Sequence, residues 1–185
     1  MSKSLKAKTL RKRMRKFGIP AGTLMQTEAL DEKSTIQLIR YDEKKIEQLN
    51  NPSISDCLRI ITTPSIIWLN ICGISDSELI GELGKGLGLH PLMLEDIMTT
   101  GQRPKFDDYR ETLYIVLKTL TYDHAALNVY DEQVSLILGS NYVISFLENP
   151  SKIFNPVIEG LQRPNNRMRK RGADFLLYSL MDCIV

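Results

Sequence analysis

Two adjacent carboxylates, Glu95 and Asp96, stand in the stretch HPLMLEDIMTTGQRPKFDDYRETLYIVLK, residues 90–118. Carboxylate oxygens are hard ligands, suited to magnesium and unsuited to soft metals. Magnesium keeps most of its waters, so one or two carboxylates with several waters make a typical site. A third candidate is Asp182, in LLYSLMDCIV. An aspartate there is a poor helix former and must face water or a partner. On the residues alone, a solvated acidic helix face is the plainer reading of all three. Catalysis finds little support. His90 precedes Pro91 and reads as fixing a helix start, and His124 falls in a loop. No Ser/His/Asp or Cys/His constellation can be placed. The glycines of GELGKGLG lack the Gly-Lys-Ser/Thr ending that phosphate binding needs. Asp107, Asp108 and Glu111 read as a solvated strand edge. The chain reads as no enzyme.

The elements that must position these carboxylates follow from spacing. Pro91 suits the first turn of a helix, where its missing N–H costs nothing. Leu94, Ile97 and Met98 share a side with Pro91, and Glu95 and Asp96 point away from it. Gly101 stops this helix, Gln102-Arg103-Pro104-Lys105 turns the chain, and strand-like sequence follows. Upstream, Thr35–Tyr41 alternates as a strand. Asp42 is expected to cap a short helix over Glu43–Leu49, and Ser53–Ile61 leans towards helix. Ile66–Cys72 is nearly all apolar, as a strand covered on both faces would be. Trp68 within it reads as core. Ser75 or Asp76 caps a helix over Ser77–Leu87 whose three glycines suggest tight packing against a neighbour.

Downstream, Leu113–Leu120, Gln133–Leu138 and Asn141–Leu147 read as successive strands. Tyr122–Tyr130 is expected to be a looser connection, and Gly139-Ser140 a two-residue hairpin turn. Pro156 opens a helix of about two turns, which ends near Pro164. A last helix runs from Gly172, with Ala173, Leu176, Leu177, Leu180 and Ile184 on one apolar face. Asp182 lies off that face. The predicted class is α/β: an α/β/α sandwich around a central mixed parallel and antiparallel sheet.

Charge is segregated. The net charge of +2 hides a basic arm, with eight Lys/Arg and no acid in residues 1–16, and five more in 162–171. Outside these blocks 11 basic residues face 22 acidic ones. The remaining body is therefore acidic and attracts cations. Residues 1–17 read as a flexible arm, with anionic lipid or nucleic acid as candidate partners. Binding of nucleic acid is not expected, because aromatic and basic residues do not interleave. No run of about 18 apolar residues is present, so no membrane span is expected. Three scattered cysteines, Cys57, Cys72 and Cys183, lack metal-ligand spacing and suggest buried thiols in a reducing compartment.

Five stretches in this order carry a family resemblance: GIPAGTL at 18–24, WLNICGI at 68–74, HPL-x-x-EDI with QRPK and YIVLK, EQVSLILGSNYVISFLE at 132–148, and RKRGADFLLYSLMD at 169–182. Together they resemble the cytoplasmic domain of CorA-type magnesium/cobalt transporters, from Gly18 to Val185. The resemblance implies a regulatory domain over 18–185, truncated within its C-terminal helix before the stalk. The stalk helix, two membrane helices and a Gly-Met-Asn pore motif would lie beyond it. It implies a pentamer in the full-length membrane protein, and a fragment that is monomeric or weakly associated. It also implies regulatory Mg2+ bound at subunit boundaries by Glu95, Asp96 and Asp182, with Co2+ or Ni2+ as alternative cargo. A zinc-transporting relative and a nucleic-acid-binding domain are the rival readings.

Overall fold

Hydrophobic alternation along the strands sets the layers. In β3 (Ile66–Cys72) Ile67, Leu69 and Ile71 face one side of the sheet and Trp68 the other, all buried. This is the two-sided burial expected from IIWLNIC. The computed structural model describes residues 34–123, 127–164 and 166–185. The basic arm over 1–17, the Gly18–Gly22 turn and His124 lie outside them.

Among the described residues seven strands form one sheet: β1 (Thr35–Tyr41), β2 (Ile46–Asn50), β3, β4 (Lys105–Asp108), β5 (Leu113–Asp123), β6 (Asn128–Leu138) and β7 (Tyr142–Leu147). Their spatial order is β2-β1-β3-β7-β6-β5-β4. β3 and β7 run parallel, and every other neighbouring pair is antiparallel. One face is covered by α1 (Ile54–Ile61), α2 (Ser77–Leu87) and α3 (Pro91–Met98). The other carries α4 (Asn155–Gln162) and α5 (Ala173–Asp182), joined by a 3-10 turn over Arg167–Lys170. The α/β/α sandwich with a mixed sheet is thus the observed architecture.

Local chemistry explains the helices. Ser53 caps α1 by accepting from the Asp56 N–H, and Asp76 caps α2 by accepting from the Leu79 N–H. Helix α2 packs closely through two of its glycines. A Cβ on Gly84 would stand 2.4 Å from Leu94 Cδ1 in α3, and one on Gly86 would stand 2.3 Å from Leu58 Cδ1 in α1. Trp68 is fully buried, with its indole N–H donating to Ser145 Oγ at 2.9 Å.

Three local expectations are corrected. Residues Glu43–Leu49 do not form a helix; Ile46–Asn50 is edge strand β2. Asp42 accepts from the N–H groups of both Lys44 and Lys45, so its capping chemistry closes a hairpin turn instead. Ile46 and Leu49 lie three apart, which reads as one helix face, but in a strand they lie on opposite faces. Ile46 packs with the α4–α5 layer and Leu49 with the α1–α3 layer. The Tyr122–Tyr130 connection is mostly strand: β5 and β6 stay paired from Leu113↔Leu138 out to Asp123↔Asn128. Leu120, Tyr122, Val129 and Tyr130 are exposed on this extension, so no burial pattern marks it in the sequence. The two residues at the tip of the β6–β7 hairpin are Ser140-Asn141, since the Gly139 N–H donates to the Tyr142 carbonyl.

Candidate cation-binding site

Helix α3 starts on His90, whose Nδ1 accepts from the Leu92 N–H at 3.2 Å, with Pro91 in the first turn. His90 therefore shapes the helix start, as its position before proline implies. Met93, Leu94, Ile97 and Met98 are buried against the sheet and α2. That fixes the opposite register, and Glu95 and Asp96 come out half-buried near the C-terminal end.

Asp96 is not simply solvated. Its Oδ2 receives Lys105 Nζ at 2.7 Å, and its Oδ1 receives Gln102 Nε2 at 3.0 Å. Its side chain is 24% exposed and that of Lys105 31%. Lys105 also reaches Asp107 Oδ2 at 2.8 Å, and its ammonium sits 5.4 Å from the centre of the Tyr114 ring. Burial alone would lower the pKa of Lys105. The hydrogen bonds to Asp107 and Asp96 outweigh it and hold that pKa above the ordinary lysine value.

The connection from α3 to β4 is fastened from below by Gln133 of β6, which is 3% exposed. Its Nε2 donates to the Asp96 carbonyl and its Oε1 accepts from the Gln102 N–H, each at 3.0 Å. Gln133 Nε2 also lies 3.3 Å from Ser135 Oγ, which in turn meets the Tyr114 hydroxyl. Helix α3, the QRPK turn, β4 and β6 are therefore one hydrogen-bonded unit centred on Asp96.

The sequence singles out Asp96 but not the side chains that hydrogen-bond to it. Gln102 and Lys105 were legible only as turn residues, and Gln133 only as a strand start. The available signal was three polar side chains in strand and turn positions within the family-like stretches. Asp107 and Asp108 do lie on an edge strand, β4. Asp182 is the last residue of α5 and is exposed. Among the described residues no group of three or more His, Cys, Asp or Glu is placed to hold a metal ion. Glu95, Asp96 and Asp182 thus do not form one cluster within this chain. As a donor set, the Asp96 carboxylate suits a hard cation, but both of its oxygens already carry a hydrogen-bond donor.

Fold and site define a class, an α/β/α domain with a half-buried, hydrogen-bonded carboxylate at a helix end. Residues 64–185 match the family described as CorA-like Mg2+ transporter protein, and the chain belongs to that family. More particularly, it is 36% identical over 170 residues to the cobalt/magnesium transport protein CorA of Thermotoga maritima. That match covers 92% of this chain and 48% of the relative, so the chain spans about half the relative's length. Among solved structures, the full-length CmaX protein aligns with a TM-score of 0.66 at 18% identity, over 85% of this chain and 47% of that one. The soluble domain of CorA from Methanocaldococcus jannaschii aligns with a TM-score of 0.56 at 14% identity, over 87% of this chain and 57% of that one. At these identities the two structures speak for the fold alone. Among the described residues no helix is long and apolar enough to cross a membrane.

Proposed function

We propose that this chain is the cytoplasmic regulatory domain of a pentameric, membrane-embedded divalent-cation channel. Magnesium is the cargo, with cobalt or nickel as alternatives, and cytosolic magnesium is also the regulator. The chain supplies Glu95, Asp96 and Asp182 as carboxylate ligands to sites shared between neighbouring subunits. The observation that carries this reading is the placement of Asp96. It is a half-buried carboxylate at the end of a firmly packed helix, held by a network from three other elements, in a CorA-family chain.

The chain's own residues set the sign. Carboxylates gathered at a subunit boundary repel one another, and the repulsion loosens the compact arrangement. A divalent ion bound there offsets it. If the ion binds the closed arrangement more tightly than the open one, it shifts the population towards closed. The permeant ion then closes its own path. Oxygen ligands with retained waters give weak binding, which suits a sensor of an abundant ion.

The test is inhibition of ion flux by cytosolic magnesium in the full-length protein, wild type against Asp96→Asn. The substitution keeps size and removes charge, so magnesium sensitivity should fall. Unchanged magnesium dependence in Asp96→Asn, and again in a Glu95/Asp96/Asp182 triple neutralisation, would reduce these residues to solvated side chains.

A further inference from the structure

Asp96 already holds a cation of the chain's own. We propose that Lys105 is a built-in competitor for divalent metal at Asp96, and that its displacement is part of cation binding. The inference rests on the reading of Asp96 as a cation ligand.

The geometry supplies the competition. Lys105 Nζ lies 2.7 Å from Asp96 Oδ2. Magnesium bonds its oxygen ligands at about 2.0–2.1 Å. An ion bound directly to that oxygen would stand within a few ångströms of an ammonium, where like charges repel strongly at low exposure. The lysine must leave first.

Leaving is made easy by a second seat. Lys105 also pairs with Asp107 Oδ2 at 2.8 Å, so on losing Asp96 it keeps one of its two carboxylates. Two negative charges share one positive charge in the present arrangement. A divalent ion on Asp96 and the lysine on Asp107 would leave neither carboxylate unpaired. The lysine is also well placed to compete. Its backbone is fixed in β4 opposite Val116, and its ammonium lies over the Tyr114 ring. Little freedom is lost in holding it there, which favours the tethered cation over a free one.

Displacement has a mechanical result. The Asp96–Lys105 pair is a direct side-chain tie between α3 and edge strand β4. Breaking it leaves Gln102 and Gln133 to hold the connection, and β4 loses its anchor to the helix. Cation binding is thereby coupled to the freedom of a sheet edge.

The test uses the full-length protein, in which the subunit boundaries are present, with Mn2+ or Mg2+ alone as probe, at ionic strength fixed with KCl. Lys105→Met keeps the apolar stem and removes the charge; Lys105→Gln serves as a second variant with a polar end. A nearby positive charge lowers a carboxylate's proton affinity by about one to three powers of ten, and it lowers the affinity for a divalent ion in the same direction. Mn2+ affinity measured by calorimetry should therefore rise at least about tenfold in either variant. Lys105→Arg should bind as weakly as wild type. The gain should vanish when Asp96→Asn is added. Equal Mn2+ affinity in wild type and both charge-removing variants would overturn the proposal. So would a gain that survives Asp96→Asn, because the ion would then sit elsewhere. Failure of the regulatory reading looks different. An Asp96-dependent gain here, together with unchanged magnesium inhibition in the Asp96→Asn channel, would discard the sensor and keep the competitor.

Discussion

Replacing Gln133 by methionine should cost about 2 kcal/mol, and the structure says where the loss arises. Methionine approximates the length and volume of glutamine, so no cavity opens. What disappears is a donor to the Asp96 carbonyl and an acceptor for the Gln102 N–H, both at 3.0 Å. An unsatisfied buried backbone group costs about 1–3 kcal/mol. Asp96 and Gln102 are half-buried, so water relieves part of the penalty and the lower end applies, about 1 kcal/mol each. For a chain of this size the sum corresponds to a fall in Tm of about 4–8 °C. Urea unfolding should show a lower midpoint with an unchanged m value. The Gln102 amide should exchange its hydrogen faster than in wild type. A loss below about 0.5 kcal/mol with Gln102 exchange unchanged would refute the reasoning. The connection would then be held by the hydrogen bonds that the Asp96 carboxylate receives from Lys105 and Gln102.

Four further outcomes are expected. Burial pushes the Cys57 thiol up to about 11, so at pH 8 its thiolate fraction is about a hundredfold below that of a free cysteine. In a Cys72→Ser/Cys183→Ser background it should react with a disulfide reagent slowly, and a fast burst would contradict its burial. Gly84→Val should destabilise by about 2 kcal/mol through overpacking on Leu94, and adding Leu94→Ala should cost less than the separate effects sum to. The Lys118 ammonium holds the Asp131 carboxyl below its ordinary value. Its contribution is therefore present above the unfolded value of about 3.9 and is lost as pH falls through the lower folded value. The urea midpoint should drop below about pH 4, and Asp131→Asn should flatten part of that drop. Asp182→Asn, at an exposed helix end, should leave the stability of this chain within about 0.5 kcal/mol; a larger loss would reveal a contact within the chain.

What was legible in the sequence follows physical lines. Strand β3, the β6–β7 pairing and the α5 face each bury a mostly apolar set, and burial is what periodicity records. Strand β2 is not legible because one side chain, Asp42, can cap a helix or close a turn with the same acceptor geometry. The choice was made by the open edge of β1, which a local pattern does not contain. The extension of the β5–β6 hairpin is not legible because its Leu120, Tyr122, Val129 and Tyr130 are exposed and leave no burial pattern. At the site, residue types showed that Asp96 could hold a cation. They did not show that Lys105 already occupies it, since that contact depends on the turn folding β4 back beside α3.

The parallel pairing of β3 with β7 bears on how the chain is made. These central neighbours are 75 residues apart at Asn70 and Ser145. At about 5–20 residues per second of synthesis, β3 leaves the ribosome several seconds before its partner exists. Through that interval β1 can pair with one side of it, while the other presents IIWLNIC as an open apolar edge. The nascent N-terminal half is thus a natural client for chaperones. Slowing translation between Cys72 and Tyr142 would lengthen the exposure and raise misfolding without altering a single residue of the finished protein.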